Sequence, residues 1–157
     1  MSFLHLPHSD RNYPPIPAHL TRLGRLGLSG NSVTVEIPAI LGSLPHLKEL
    51  YLDNNHLHGP IPSIFNNLTC LKLLEIQRKY IFGEFPYLGS LIKLYFLDAS
   101  DNNVSGQVPS TFPVSLVELS MRNNILDNID NIRFLQVLDL NHNILYGAIS
   151  LVFFKHR

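Results

Sequence analysis

Leucines and polar residues alternate along this chain in short bursts that return at nearly constant intervals. The leucine that opens each LxL burst is found at Leu26, Leu50, Leu74, Leu97, Leu119 and Leu138, which gives intervals of 24, 24, 23, 22 and 19 residues. The alternation points two leucines of each burst into a core and the residues around them to solvent, as a short strand requires. The period therefore predicts about six stacked units that together form a parallel sheet.

The segment 47–62 shows the full unit, LxxLxLxxNxLxGxIP, with every fixed position filled. We expect the asparagine of each unit to turn the chain inward and to bond both its own loop and the next coil. The predicted ladder is formed by Asn31, Asn55, Asn102, Asn124 and Asn143. Lys79 takes this position in the third unit, where its ammonium only donates and should turn to solvent.

The second half of each unit carries glycine and proline. Gly59, Gly83, Gly106 and Gly147 sit where we expect a backbone conformation that a Cβ would obstruct. A proline cannot donate to a strand ladder, so each should end a short extended segment on the flank. These prolines are Pro38, Pro62, Pro86 and Pro109.

The fold predicted by these positions is a leucine-rich repeat solenoid. It is a curved right-handed stack of about six coils, with a parallel sheet on the concave face and short 3-10 or irregular segments on the convex face. We expect an irregular segment at 1–15, uncapped repeats over 16–150 and a tail at 151–157.

The GxIP half of the unit resembles the plant-specific leucine-rich repeats of receptor-like proteins, receptor-like kinases and polygalacturonase-inhibitor-like proteins. The resemblance implies a recognition module at the cell surface or in the apoplast, with a protein or peptide ligand and a co-receptor as candidate partners. Members of the family normally carry a paired-cysteine cap, whereas Cys70 is the single cysteine here and is expected to be a packed thiol. With neither a signal-peptide core nor a membrane span, the chain is expected to be an ectodomain fragment or a truncated product.

The charge balance and the absence of catalytic motifs argue against several classes of function. The 12 basic and 12 acidic residues balance without a run of one sign, which gives no support for a nucleic-acid or anionic-membrane partner. His56 and His58 flank Leu57 in a surface turn without other ligands at metal-binding spacing. No nucleophile elbow, phosphate loop or HExxH motif occurs. We therefore predict no enzymatic activity, no metal and no cofactor.

The candidate binding residues are the outward positions of the predicted strands. An aromatic and apolar strip, Tyr51, Leu73 and Phe96, lies among carboxylates, a mixture typical of an interface centre with a charged rim. The predicted ligand-binding set is Glu49, Tyr51, Asp53, Leu73, Glu75, Gln77, Phe96, Asp98, Ser120 and Arg122. Two glycosylation sequons, at Asn67 and Asn103, should face solvent.

Two classes of function, neither of them catalytic, remain open. The first is a recognition module from the ectodomain of a receptor-like protein or kinase in signalling or defence. The alternative is a soluble inhibitor of a cell-wall hydrolase such as a polygalacturonase, or a truncated product with no independent function. A downstream membrane span or kinase domain in the gene would favour the first, and a paired-cysteine C-terminal cap the second.

Overall fold

The computed structural model describes residues 20–78, 80–110, 112–129 and 135–146. Its strands are β1 (Arg25–Gly27), β2 (Glu49–Tyr51), β3 (His58–Gly59), β4 (Leu73–Glu75), β5 (Tyr80–Glu84), β6 (Phe96–Asp98), β7 (Asn103–Val108), β8 (Glu118–Ser120), β9 (Ile125–Ile129) and β10 (Val137–Asp139). One strand from each LxL burst joins the main sheet, in the order β1-β2-β4-β6-β8-β10. The strands that follow join a second, lateral sheet in the order β3-β5-β7-β9. All pairs in both sheets are parallel, which confirms the leucine-rich repeat solenoid.

Within the described ranges, two 3-10 helices lie on the return segments, as the sequence predicts for the convex side. They span Ala39–Ser43 and Ser63–Asn67, and each begins directly after a proline, Pro38 or Pro62. The two helices pack closely, because a Cβ added at the buried Gly42 would lie 2.7 Å from Cγ2 of Ile64. In the described parts of the chain, no helix has the length and apolar character that crossing a bilayer requires.

The core is a column of stacked leucines. Leu50, Leu74, Leu97 and Leu119, at the centre of their strands, have no exposed surface. Their counterparts in the end strands β1 and β10, Leu26 and Leu138, are only partly buried because each has a neighbouring strand on one side. Burying a leucine side chain stabilises the fold by roughly 1.5–3 kcal/mol, so the interior coils contribute most of the hydrophobic free energy.

The asparagine ladder joins neighbouring coils. In the second coil, Asn55 Nδ2 donates to the carbonyls of Leu52 and Asp53 in its own turn, at 2.9 and 3.2 Å. It also donates to Leu28 of the first coil at 2.8 Å, while its Oδ1 accepts the Val33 N–H at 3.2 Å. The same four bonds recur at Asn102, Asn124 and Asn143. Four of the five predicted ladder asparagines thus join two coils, with the correction that their bonds reach the preceding coil rather than the next one, whereas the described bonds of Asn31 stay in its own turn.

A left-handed residue precedes each of these ladder positions. Its φ lies between 52° and 58° at Asn54, Arg78, Asp101, Asn123 and His142, where Arg78 precedes the position of Lys79, and φ is 69° at Gly30, which precedes Asn31. Asparagine and aspartate tolerate this region well, whereas arginine adopts it at a cost. The predicted glycine conformation is confirmed at Gly59, Gly83 and Gly106, with φ of 84°, 84° and 76°. Gly147 lies outside the described residues.

The prolines end the lateral strands as expected. Pro109 directly follows β7, and Pro86 comes two residues after β5. The fifth unit lacks the GxIP half, yet its chain still forms β9 and pairs with β7 through a register shift between Gly106 and Gln107. Pairing with the preceding coil therefore specifies this strand without the motif.

The third coil is where the ladder is interrupted. Lys79 itself lies outside the described residues. By the pattern of the other coils, its side chain would have to accept the N–H of Leu57, and a lysine ammonium has no acceptor. No described residue accepts a hydrogen bond from that N–H, although Leu57 is buried.

We expect Asn124→Ala to lower the free energy of unfolding by at least about 2 kcal/mol. The Ala99 carbonyl and the Val104 N–H of the preceding coil lose a partner, and so do two carbonyls of the asparagine's own turn. Asn31→Ala is the matched control: Asn31 has the same motif position but is exposed, and among the described residues it bonds only its own turn. Urea unfolding followed by circular dichroism measures both. Equal losses in the two variants would show that the bonds between coils do not matter.

Lys79→Asn should raise the unfolding midpoint and slow amide exchange over residues 76–83, since asparagine can accept the Leu57 N–H. The expected gain is about 1 kcal/mol for the restored hydrogen bond. Hydrogen exchange with mass spectrometry locates the effect. An unchanged or lower midpoint would mean that Lys79 reaches a carboxylate or carbonyl and offsets the loss.

Candidate functional site

The outward side chains of the main sheet fall into columns because neighbouring strands pair without offset. The first column is Arg25, Glu49, Leu73, Phe96, Glu118 and Val137. The second is Gly27, Tyr51, Glu75, Asp98, Ser120 and Asp139. A third, two residues further on, is Ser29, Asp53, Gln77, Ser100, Arg122 and Asn141. The structure thus brings the ten predicted residues onto one face.

Tyr51 contacts Arg25, which the predicted set omits, and Glu49, which belongs to that set. The Arg25 guanidinium lies 4.9 Å from the centre of the Tyr51 ring, and its Nη2 donates to the Tyr51 hydroxyl at 3.2 Å. Arg25 Nε also pairs with Glu49 at 2.9 Å, and the Tyr51 hydroxyl donates to the same carboxylate. Burial and the bond to Glu49 raise the pKa of Tyr51, so the phenol stays neutral at physiological pH. One end of the strip is therefore covered by a cation.

Leu73 and Phe96 form the open part of the strip. They are register partners on adjacent strands and both are half-buried. Side chains directly opposite one another on neighbouring strands lie within van der Waals reach. A continuous apolar platform therefore occupies the third and fourth coils.

Several polar residues of the predicted set have structural partners. Asp53 is 8% exposed and accepts hydrogen bonds from the Ser29 hydroxyl and from Asn54 Nδ2. Asp98 Oδ1 accepts the Ser100 N–H at 2.9 Å, as Asp139 Oδ1 accepts the N–H two residues on. Aspartate in the second column thus caps its own turn. Asp53 and Asp98 therefore contribute to the stability of the fold through these hydrogen bonds.

Glu75 differs from these aspartates. Its described hydrogen bond comes from Gln77 Nε2 at 3.4 Å, and no described cation pairs with it. Burial, followed by the charges of Asp53 and Asp98, raises the pKa of Glu75 above its ordinary value. The Oε1 of Gln77 is buried and has no partner in the described part of the chain. Glu75, a carboxyl without a paired cation, and Gln77, whose buried oxygen has no described donor, thus lie side by side near the middle of the sheet.

The far end of the face is polar. Ser120 is half-buried, and the exposed Arg122 pairs with Asp101 at 3.3 Å. Asp101 also lies 3.8 Å from Arg78, and it accepts a bond from Asn123 at 2.9 Å. This network joins three coils along the edge of the main sheet. Its members other than Arg122 were not predicted, because it depends on the left-handed residues that precede the ladder.

The remaining candidates are the two sequon asparagines, the histidine pair and the single cysteine. Asn67 and Asn103 are both exposed, as are His56 and His58, while Cys70 is a half-buried free thiol. Among the described residues, no three His, Cys, Asp or Glu side chains converge in a way that would hold a metal ion.

Comparison with known proteins places this geometry among plant proteins. A family model described as Leucine Rich Repeat matches residues 46–68. The chain is 34% identical to the ectodomain of the receptor kinase GASSHO1/SCHENGEN3 from Arabidopsis thaliana, solved in complex with CASPARIAN STRIP INTEGRITY FACTOR 2. That match has a TM-score of 0.76 and covers 80% of this chain and 16% of the other. No curated protein sequence matches significantly.

Two further ectodomains are similar. The receptor kinase SOBIR1 from Arabidopsis thaliana is 30% identical with a TM-score of 0.69, over 76% of this chain and 70% of the other. The Arabidopsis receptor kinase HAESA, in complex with an extended IDA peptide hormone ligand, is 30% identical with a TM-score of 0.77. This match covers 88% of this chain and 25% of the other. The chain thus spans well under two thirds of the first and third of these ectodomains.

Glu75→Gln should change how stability depends on pH. Because the pKa of Glu75 is higher in the folded chain than its ordinary value of 4.5, its contribution is fully present below that value and is lost as pH rises through the raised pKa. The variant should therefore have a higher unfolding midpoint at pH 7, by no more than about 3 °C because water screens the group, and the same midpoint near pH 4. Differential scanning calorimetry at both pH values measures this.

The matched control is Glu84→Gln, which removes an exposed carboxylate on the lateral sheet. It should shift the midpoint equally at the two pH values. A Glu75→Gln profile parallel to that of the control would show that the sheet face does not disfavour the ionised carboxyl.

Proposed function

This chain belongs to the plant leucine-rich repeat proteins, and on that premise we propose that it is a recognition module that binds a protein or peptide ligand through the face of its main sheet. Two of the similar ectodomains are described in complex with such ligands, and this supports the proposal. The setting that we propose is the extracellular side of a plant cell surface. There the chain acts as a segment of a larger receptor-like ectodomain in signalling or defence, beside a co-receptor.

The observation that carries this proposal is Glu75. Its ionised form is disfavoured by burial and by Asp53 and Asp98, and the described residues supply no cation to relieve it. A lysine or arginine of a ligand would neutralise it in a partly desolvated place, where a charged hydrogen bond is strongest.

The apolar platform of Leu73 and Phe96 indicates that the ligand also carries an apolar residue. Leu73 and Phe96 lie one strand apart and next to Glu75, so one apolar side chain can pack on them while a neighbouring basic side chain reaches the carboxyl. Hot spots of interfaces combine such a packed apolar anchor with a charged group that is shielded from water. The proposed ligand is therefore a segment that holds an apolar residue and a basic residue close together.

Screening a displayed random-peptide library against the full chain tests this function. We expect enrichment of peptides that carry Lys or Arg beside an apolar residue, with an association rate that falls as salt is added. Affinity should increase as pH rises through the raised pKa of Glu75, because the ionised carboxylate is the form that binds a cation. Phe96→Ala combined with Asp98→Lys should weaken binding of the enriched peptides by at least about 100-fold, or roughly 3 kcal/mol.

The matched control combines Tyr87→Ala with Glu84→Lys, which makes the same kinds of change at exposed positions outside the main sheet face. It should leave binding unchanged. The proposal fails if the library yields no enriched peptide, or if both double variants retain binding equally.

A further inference from the structure

The lateral sheet carries an exposed aromatic pair that the proposed function does not use. Tyr80 and Phe82 alternate with the buried Ile81 on β5, and their side chains are 67% and 51% exposed. Large aromatic rings are rarely left this open beside one another on a strand without a partner. They line an open groove of about 450 Å³ together with Asp101, Asn102, Asn103 and Asn123.

The groove also contains a modification site. Asn103 opens the sequon Asn103-Val104-Ser105, is exposed, and is the register partner of Phe82 across the β5–β7 pair. Register partners in a parallel pair lie side by side and project to the same face of the sheet. A sugar attached to Asn103 would begin one strand away from the Phe82 ring.

We propose that the groove is a cradle for an N-linked glycan on Asn103, whose first sugars pack on Phe82 and Tyr80. In the attachment step, Nδ2 of Asn103 forms a bond to C1 of N-acetylglucosamine on a lipid-linked diphosphate oligosaccharide. The C1–O bond to the diphosphate breaks, the lipid diphosphate leaves with that electron pair, and Nδ2 loses one proton. The inference rests on the extracellular setting of the proposed function but not on its ligand.

The chemistry of the groove matches a sugar on both of its sides. One face of N-acetylglucosamine presents C–H bonds, which pack on the electron-rich face of an aromatic ring. The hydroxyl groups of the sugar need acceptors. The Asp101 carboxylate can accept from them while it also pairs with Arg122 and accepts a hydrogen bond from Asn123. The groove volume of about 450 Å³ lies within the range of ordinary ligand sites, which leaves room for one or two sugar rings.

The second sequon provides an internal comparison. Asn67 ends the second 3-10 helix, is exposed, and belongs to neither sheet, so it has no cross-strand aromatic partner. A glycan there should extend freely into solvent. Both sites can be modified, but only the Asn103 glycan should stabilise the fold.

The test is a double-variant cycle on the full chain, secreted from a eukaryotic host through an added signal peptide. Intact mass spectrometry reports occupancy, and calorimetry reports the unfolding midpoint. We expect Asn103→Gln to remove one glycan and to lower the midpoint by about 2–4 °C. In the Phe82→Ala background the same change should have no effect on the midpoint. Asn67→Gln should have no effect in either background.

A spectroscopic readout keeps the proposal testable if a variant folds poorly. The N-acetyl and ring C–H signals of the Asn103 glycan should be shifted upfield by the aromatic rings in the wild-type chain, and Tyr80→Ala should reduce that shift. An unmodified Asn103, a midpoint loss equal in both Phe82 backgrounds, or unshifted sugar signals would each overturn the proposal.

Discussion

Pairing of the backbone groups buried between coils is the constraint on which this structure depends. A coil of a solenoid has neighbours on two sides, so its turn carbonyls and amides are removed from water and must find partners. The ladder asparagine satisfies them with two donors and one acceptor on a side chain too short to leave the turn. Because each amide bonds its own turn and the preceding coil, it sets the register of both sheets at once. The alignment of the surface columns follows from that register.

The periodic part of the fold could be predicted from sequence because its causes are local. An LxL burst, an asparagine and a glycine with positive φ each determine their own segment, as at Leu50, Asn55 and Gly59. The lateral sheet was foreseen only as extended segments ended by prolines. Its pairing depends on the neighbouring coil, which explains why β9 forms without the GxIP motif and with a shifted register.

The binding face shows the same division between local and non-local causes. Alternation along each strand places ten candidate residues on one surface. It does not predict which of their polar groups form hydrogen bonds within the fold and are therefore less available to a ligand. Asp53 and Asp98 are used by the turns beside them, and Arg25 from the first coil covers Tyr51 in the second. These contacts join residues that are two, 24 or 26 positions apart, and the two longer ones exist only because the coils stack. Glu75 stands out for this reason, since Asp53 and Asp98 oppose its charge and its one described hydrogen bond comes from the neutral amide of Gln77.

The direction of the ladder bonds has a consequence for how such genes change length. Asn55, Asn102, Asn124 and Asn143 each point back to the coil before and require from that coil the equivalent carbonyl and the equivalent N–H. A recombination event that joins equivalent codons of two units therefore deletes or duplicates a whole module and leaves every remaining asparagine with its acceptors and donor. A crossover out of phase leaves a turn beside a coil that does not present the carbonyl and the N–H that its asparagine requires. Selection for pairing should thus keep exons of this kind in whole multiples of the repeat, while the outward residues remain free to diverge.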